Sequence, residues 1–166
     1  MKTLNLTNKD TSDIKFEVSS FPDGQHNVKI MDNYVLKHES VLIKSRLNNW
    51  IDLEILSCTV ASLREIGIKE IHLYCPYIIG SRSDRKFVKG GNNYIKSVIA
   101  PVINSLNFET VTCVDPHSDV LEACITGFKK QCNMNLVRQA LGDLYAAIQG
   151  YKTENNQFVL ISPDAG

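Results

Sequence analysis

Three polar clusters in this chain have the residue types and spacing to do chemistry, and each follows an apolar run. The first is Gly80-Ser81-Arg82-Ser83-Asp84-Arg85-Lys86, which packs three cations and one carboxylate into five residues after Ile71-His72-Leu73-Tyr74-Cys75-Pro76. Guanidinium forks present two parallel donors to a phosphate, so the loop reads as an anion grip, with a solvated charged turn as the plainer reading. The second cluster is Asp115/His117/Asp119, after Glu109–Val114; the third is Ser162/Asp164, after Gln157–Ile161. An Asp after a strand is often a helix cap, and Asp119 is expected to cap the helix that follows it. Cations, carboxylates and one imidazole on one sheet edge suit a nucleotide phosphate chain with Mg²⁺, a hard cation satisfied by carboxylate, phosphate and water oxygens. Covalent catalysis has no support: no G-x-S-x-G occurs, and no Cys stands beside a His.

The elements that must carry these clusters follow from periodicity. Short strands are expected at Ile14–Val18, Asn27–Ile30 and Val41–Ile43, with a Pro22-Asp23-Gly24 turn between the first two. Ile51, Ile55, Cys58, Ser62 or Leu63, and Ile66 repeat at helical spacing, with Asn48 or Asn49 as N-cap and Gly67 as the stop. A strand over 69–75 leads into the charged loop. Gly90-Gly91-Asn92 then opens a second helix with a Tyr94–Leu106 apolar stripe, kinked or broken at Pro101. A strand over 109–114, helices over 119–129 and 135–149, and a strand over 157–161 complete the pattern. Strands alternating with helices predict an α/β fold, a mainly parallel sheet with right-handed crossovers, preceded by a small N-terminal β extension. In such sheets ligands bind outside the carboxyl ends of the strands, where all three clusters fall.

The bulk numbers exclude several classes. A chain of 166 residues suits one domain, taken here as 1–166, with a sizeable core. Lys plus Arg equals Asp plus Glu at 18 each, so no global field recruits nucleic acid or an anionic membrane, and anion binding must come from local clustering. The five cysteines form no C-x-x-C pair and several lie in apolar runs, the usage of a reducing compartment. No apolar stretch approaches membrane-spanning length, and a cytoplasmic protein is expected. His72 is expected to be packed or at an edge, His26 and His38 to face solvent, and Trp50 to anchor a core or an interface. Phe21 alone among the aromatics is expected to be exposed by its turn.

Four motifs in the same order carry a family resemblance: Phe21-Pro-Asp23-Gly24-Gln25, Pro76-Tyr77…Arg82-Ser83-Asp84-Arg85-Lys86, Asp115-Pro-His117-Ser118 and Val159-Leu-Ile-Ser162-Pro163-Asp164. Together they resemble ribose-phosphate pyrophosphokinase (phosphoribosyl pyrophosphate synthetase), gap-free from Phe21 to His117. The resemblance implies a phosphoribosyltransferase-like doubly wound sheet and transfer of the β,γ-pyrophosphoryl group of Mg·ATP to the C1 hydroxyl of ribose 5-phosphate, giving PRPP and AMP. In that family a Phe-x-Asp-Gly-Glu segment holds adenine across a subunit interface, so a homo-oligomer is implied. Carried over by position, Phe21 stacks on adenine, and Asp23 and Gln25 read its edge. Arg82, Ser83 and Arg85 contact the phosphates. His117 and Asp164 lie at the metal, with Asp115 supporting His117.

Departures limit what transfers. Gln25 stands where the family has Glu, Ser83 where it has Gln, and Pro116 where it has Leu; the 128–156 region matches poorly. The family's catalytic Lys/Arg loop and its acidic ribose-5-phosphate loop match nothing up to residue 166, so the catalytic residues are unknown. The chain is expected to correspond to the amino-terminal, ATP-side domain without the ribose-5-phosphate domain, to oligomerise and to lack turnover by itself. Two alternatives stand beside the synthetase: a non-catalytic regulatory or interaction subunit, and a pyrophosphokinase acting on a larger ribose-5-phosphate derivative.

Overall fold

The computed structural model describes residues 1–31 and 40–149, with side chains as far as residue 144. His38, the expected strand at 157–161 and the cluster Ser162/Asp164 lie outside the described residues. Contacts divide the chain into two compact units, Met1–Gln131 and Cys132–Gly166. In the second unit, a helix (here α4) runs over Met134–Gln149, as its periodicity predicts.

The first unit is built on a five-stranded parallel sheet, β1 (Lys2–Asn5), β4 (Val41–Lys44), β5 (Ile71–Tyr74), β6 (Thr110–Val114) and β7 (Phe128–Gln131), hydrogen-bonded in that order. After the step from β1 to β4, which passes over the hairpin strands, the order follows the chain one strand at a time. A separate antiparallel hairpin joins β2 (Phe16–Ser20) to β3 (His26–Ile30). Helix α1 (Trp50–Glu65) links β4 to β5, α2 (Ala100–Ser105) precedes β6, and the short α3 (Val120–Cys124) precedes β7. The α/β class, with helices flanking a parallel sheet, is the one the alternation of elements predicts. Among the described residues no helix is long and apolar enough to cross a membrane.

Sequence periodicity misses two strands. β1 is only four residues long and alternates weakly, yet Leu4 is fully buried and the strand pairs with β4. β7 begins within the last two residues of the expected 119–129 helix, which instead ends at Cys124. The break is at Gly127, whose φ of +68° is left-handed and where an added Cβ would stand 2.7 Å from the Glu109 carbonyl oxygen. Val120, Leu121 and Cys124 do form the helix α3, and pairing with β6 takes over from Phe128.

Local signals hold elsewhere. Asn49 caps α1: its Oδ1 accepts from the Asp52 amide at 3.0 Å, while Asp52 Oδ2 accepts from the Asn49 and Asn48 amides at 3.2 and 2.8 Å. Pro101 has no N–H for the helical ladder, and the chain accommodates it with a π-helical stretch over Ile95–Ile99. The Ala100 amide reaches back five residues to the Ile95 carbonyl before α2 begins.

Helix α1 has two working faces. Leu53, Leu56, Val60 and Leu63 are buried in the core with Ile43, Ile71 and Leu73 of the sheet. Glu54, Cys58 and Ser62, spaced four apart, bond to β3. Glu54 accepts from the His26 amide (3.0 Å) and faces the His26 Nδ1 (2.8 Å); Cys58 donates to the His26 carbonyl (3.4 Å), and Ser62 to the Val28 carbonyl (2.7 Å). His26 is therefore not the solvent-facing residue that its turn context predicts. Its backbone amide, and next its ring, hold the Glu54 carboxyl below its ordinary value of 4.5. His72 is packed as expected, between Thr110 Oγ1 (2.8 Å) and Glu70 (3.1 Å).

Two predictions follow from these contacts. Gly127→Ala combines backbone strain with a collision against carbonyl oxygen, so it should cost upwards of about 2 kcal/mol, read as a fall in the chemical-denaturation midpoint. A carboxyl depressed on folding stabilises above its unfolded pKa and loses that contribution as pH falls through the lower folded value. Glu54→Gln should therefore flatten the acid limb of the stability–pH curve below about pH 4.5, where the wild type loses stability.

Candidate functional site

The site grows from the last rungs of the parallel sheet. The Cys75 amide donates to the Thr112 carbonyl at 2.8 Å as β5 ends beside β6, and beyond that rung the two chains separate. The loop after β5 stays attached to its other neighbour: the Leu47 amide donates to the Tyr77 carbonyl at 3.0 Å, and Leu47 bridges Ile78. The Arg46 guanidinium lies over the Tyr77 ring, 5.5 Å from its centroid.

Residues 80–95 then fold through tight turns. Ser83 N donates to Gly80 O (2.7 Å), Gly91 N to Val88 O (3.0 Å) and Ile95 N to Ser83 O (3.2 Å). Gly80 is required here, because an added Cβ would sit 2.4 Å from the Tyr94 ring. The Tyr94 hydroxyl accepts from Trp50 Nε1 at 2.9 Å, tying the loop to the first residue of α1. Trp50 itself is about half exposed and anchors no core. Asn93 completes the frame by donating to the Asp84 carbonyl.

On the other side, β6 runs out at Asp115, which has a left-handed φ of +46°. Asp tolerates that conformation better than most residues. Its amide donates to the Gln131 carbonyl at 2.8 Å, so β7 holds the turn that aims the next residues. Asp119 does not cap α3 with its side chain; it is exposed, 3.6 Å from Lys130 Nζ. The Val120 amide instead approaches the Ser118 hydroxyl at 3.4 Å.

Two clefts form where these loops face each other, and they share Arg82 and His117 as a wall. One, of about 410 Å³, lies between residues 76–82 and 113–117 and includes Asp115. The other, of about 440 Å³, is lined by Arg82, Asp84, Arg85, Phe87, His117 and Val120. The Arg85 guanidinium lies 5.4 Å from the Phe87 ring centroid. The Ser118 hydroxyl donates to Asp84 and holds that carboxyl below the ordinary range, with the His117 ring and Arg85 adding less. Asp84 thus remains an anion between two arginines and joins the two loops.

Among the described residues no group of three or more His, Cys, Asp or Glu could hold a metal ion by itself. Asp115 and His117 stand together on the wall of the first cleft. That donor set suits a hard ion that arrives with phosphate oxygens and keeps its waters. It does not suit a closed structural site. Cys113 also lines this cleft, but burial pushes its thiol up to about 11 and that of Cys75 to about 12, so neither serves as a thiolate nucleophile.

No family model matches the chain. Over 106 residues, 63% of this chain and 35% of the relative, it is 26% identical to a ribose-phosphate pyrophosphokinase of Saccharolobus solfataricus. The fold matches the crystal structure of phosphoribosylpyrophosphate synthetase from Mycobacterium smegmatis with a TM-score of 0.70 at 15% identity, covering 84% of this chain and 47% of the solved one. In sequence and in fold, the chain is similar to ribose-phosphate pyrophosphokinase. It spans about a third of the curated relative's length and about half of the solved synthetase's.

The residues singled out by resemblance to the synthetase fall into four groups. Arg82, Arg85, Asp115 and His117 converge on the two clefts. Ser83 lines neither; its backbone bonds to Gly80 and Ile95 and supports the loop. Phe21, Asp23 and Gln25 sit on the β2–β3 turn, outside both cleft walls, closed by Phe21 N to Gln25 O (2.8 Å), Gly24 N to Phe21 O (2.9 Å) and Gln25 N to Asp23 Oδ1 (3.1 Å). Phe21 is half exposed, as expected. Asp164 lies outside the described residues. The sequence motifs did not indicate Phe87, or the Asp84–Ser118 contact, which depends on two loops about thirty residues apart meeting in space.

The thiol environments yield a direct check. With iodoacetamide at pH 8 and native protein, exposed Cys132 should be alkylated well before Cys75 and Cys113, as read by peptide mass spectrometry. Denaturation should remove the difference.

Proposed function

We propose that this chain is the ATP-binding part of a cytoplasmic diphosphotransferase of the ribose-phosphate pyrophosphokinase type. The observation that carries the reading is the shared wall: Arg82 from the β5 loop and His117 from the β6 loop stand between two adjoining clefts. A group-transfer enzyme needs its phosphate chain held at such a junction. Arg82 and Arg85 grip phosphate oxygens by charge-assisted hydrogen bonds, with Ser83 shaping the loop between them. Asp115 and His117 would hold Mg²⁺, which would neutralise phosphate charge when bound. Phe21 supplies an aromatic face for adenine, and Asp23 and Gln25 supply polar groups for its edge. A homo-oligomer lets that turn serve the clefts of another copy.

In the whole enzyme the C1 hydroxyl oxygen of ribose 5-phosphate forms a bond to the β-phosphorus of ATP. The bond from that phosphorus to the α,β-bridging oxygen breaks, AMP departs with the electron pair, and the hydroxyl proton passes to solvent. Such a transfer depends on positioning and charge neutralisation and needs no covalent nucleophile. This agrees with the protonated thiols of Cys75 and Cys113.

The test is Mg·ATP binding followed by calorimetry, with AMP release measured in the presence of ribose 5-phosphate. Wild type should bind Mg·ATP, and Arg82→Ala should weaken binding about tenfold or more, since a hydrogen bond to a charged group contributes about 1.5–3 kcal/mol. The 166-residue chain should bind without releasing AMP. Equal affinity of Arg82→Ala and wild type would overturn the assignment.

A further inference from the structure

The turn Phe21–Gln25 lies outside both clefts described above, and its own root holds it in place. Its carboxyl-terminal root is His26, the first residue of β3, paired across the hairpin with Ser20. Glu54 chelates that root, taking the backbone amide on one oxygen at 3.0 Å and facing ring Nδ1 with the other at 2.8 Å. The His26 side chain is one-fifth exposed and that of Glu54 a little over a third, so neither end of the clamp is fully solvated. Cys58 takes the carbonyl of the same residue, leaving His26 held by its amide, its ring and its carbonyl at once. Ser62 is the next residue in this row, but it bonds Val28, two residues further from the turn. The helix beneath is capped close to this point, its first turn beginning four residues before Glu54 with the Asn49–Asp52 capping box.

We propose that Glu54 is a positioning residue for nucleobase recognition. By chelating His26 it presents Phe21, Asp23 and Gln25 in a preformed orientation, so the turn loses little conformational freedom when a purine docks. This rests on the reading above that the turn contacts the base of ATP. Glu54 touches no ligand; its effect passes through one residue, His26, and should be confined to ligands that carry a base. Ser62 stabilises the same hairpin on the same helix face and should lack that selectivity.

The experiment compares Mg·ATP with Mg·tripolyphosphate, which has the phosphates and no base, on wild type, Glu54→Ala, Ser62→Ala and Phe21→Ala. Glu54→Ala should lose about tenfold in affinity for Mg·ATP and keep its affinity for Mg·tripolyphosphate, as should Phe21→Ala. Ser62→Ala should keep both affinities even where its melting temperature falls. If Glu54→Ala is too unstable to assay, His26→Ala removes the ring contact while retaining the backbone one, and it should lower the same ratio. A parallel loss of both ligands in Glu54→Ala would show a merely structural role and overturn the proposal. So would wild-type binding of ATP by Glu54→Ala while Phe21→Ala loses it, which leaves the turn's role intact. Wild-type ATP binding by Phe21→Ala would remove the turn from the base site, and the proposal with it.

Discussion

The parallel pairing of β5 with β6 is the interaction on which the rest of the site depends. Parallel strands end on the same side, so pairing His72, Leu73 and Tyr74 with Thr110, Val111 and Thr112 delivers two loops to one edge. One loop carries Arg82 and Arg85, the other Asp115 and His117. A shift in that pairing would separate the cationic loop from the imidazole, whatever the loops' own turns did. The neighbouring strands reinforce the edge. Leu47 extends the β4 side into residues 77–78, and the Gln131 carbonyl of β7 holds Asp115 in its left-handed turn. Asp84 and Ser118 then close the gap between the loops with a single contact.

Helix α1 answers a different requirement. A small hairpin outside the main sheet has an unpaired edge and little core of its own. The row Glu54, Cys58 and Ser62 satisfies that edge through side chains, while Leu53, Leu56, Val60 and Leu63 fix the helix to the sheet. One helix thus sets the hairpin in a defined place relative to the sheet through opposite faces. The apolar face supplies adhesion by burial, which is non-directional. The polar row supplies orientation, because hydrogen bonds fail when a strand slips by one residue.

Much of the fold was legible before any coordinates. The Asn49 cap, the Gly67 stop, the buried run at 71–75 and the helical irregularity that precedes Pro101 are local signals, and each lies where its chemistry demands. Failures came where a distant partner decides. The expected helix over 119–129 stops at Cys124, because Gly127 and the free edge of β6 turn residues 128–131 into β7. Lys2–Asn5 has too few residues to show a period, and becomes a strand because β4 offers it an edge. His26 looks like a turn residue facing water until Glu54, twenty-eight positions later, arrives beside it. Asp119 stands at the capping position of α3 as its residue type suggests, but its side chain makes no capping bond, and the Val120 amide approaches the Ser118 hydroxyl instead.

The amino-acid sequence by itself determined which chemistry is available: two arginines and a carboxylate in one loop, an Asp and a His in another, and an exposed Phe in a turn, with neither a G-x-S-x-G motif nor a Cys beside a His. Those are properties of residue types and short spacings, which require no knowledge of distant contacts. Only the tertiary structure decided which of these groups share a space. It brought Arg82, Arg85, Asp115 and His117 to two adjoining clefts, left Ser83 as a backbone support, and set Phe21, Asp23 and Gln25 apart on a hairpin steered by Glu54. The reason is physical. A cluster within one loop is held by covalent connectivity, whereas convergence between loops depends on strand pairing and helix packing far along the chain.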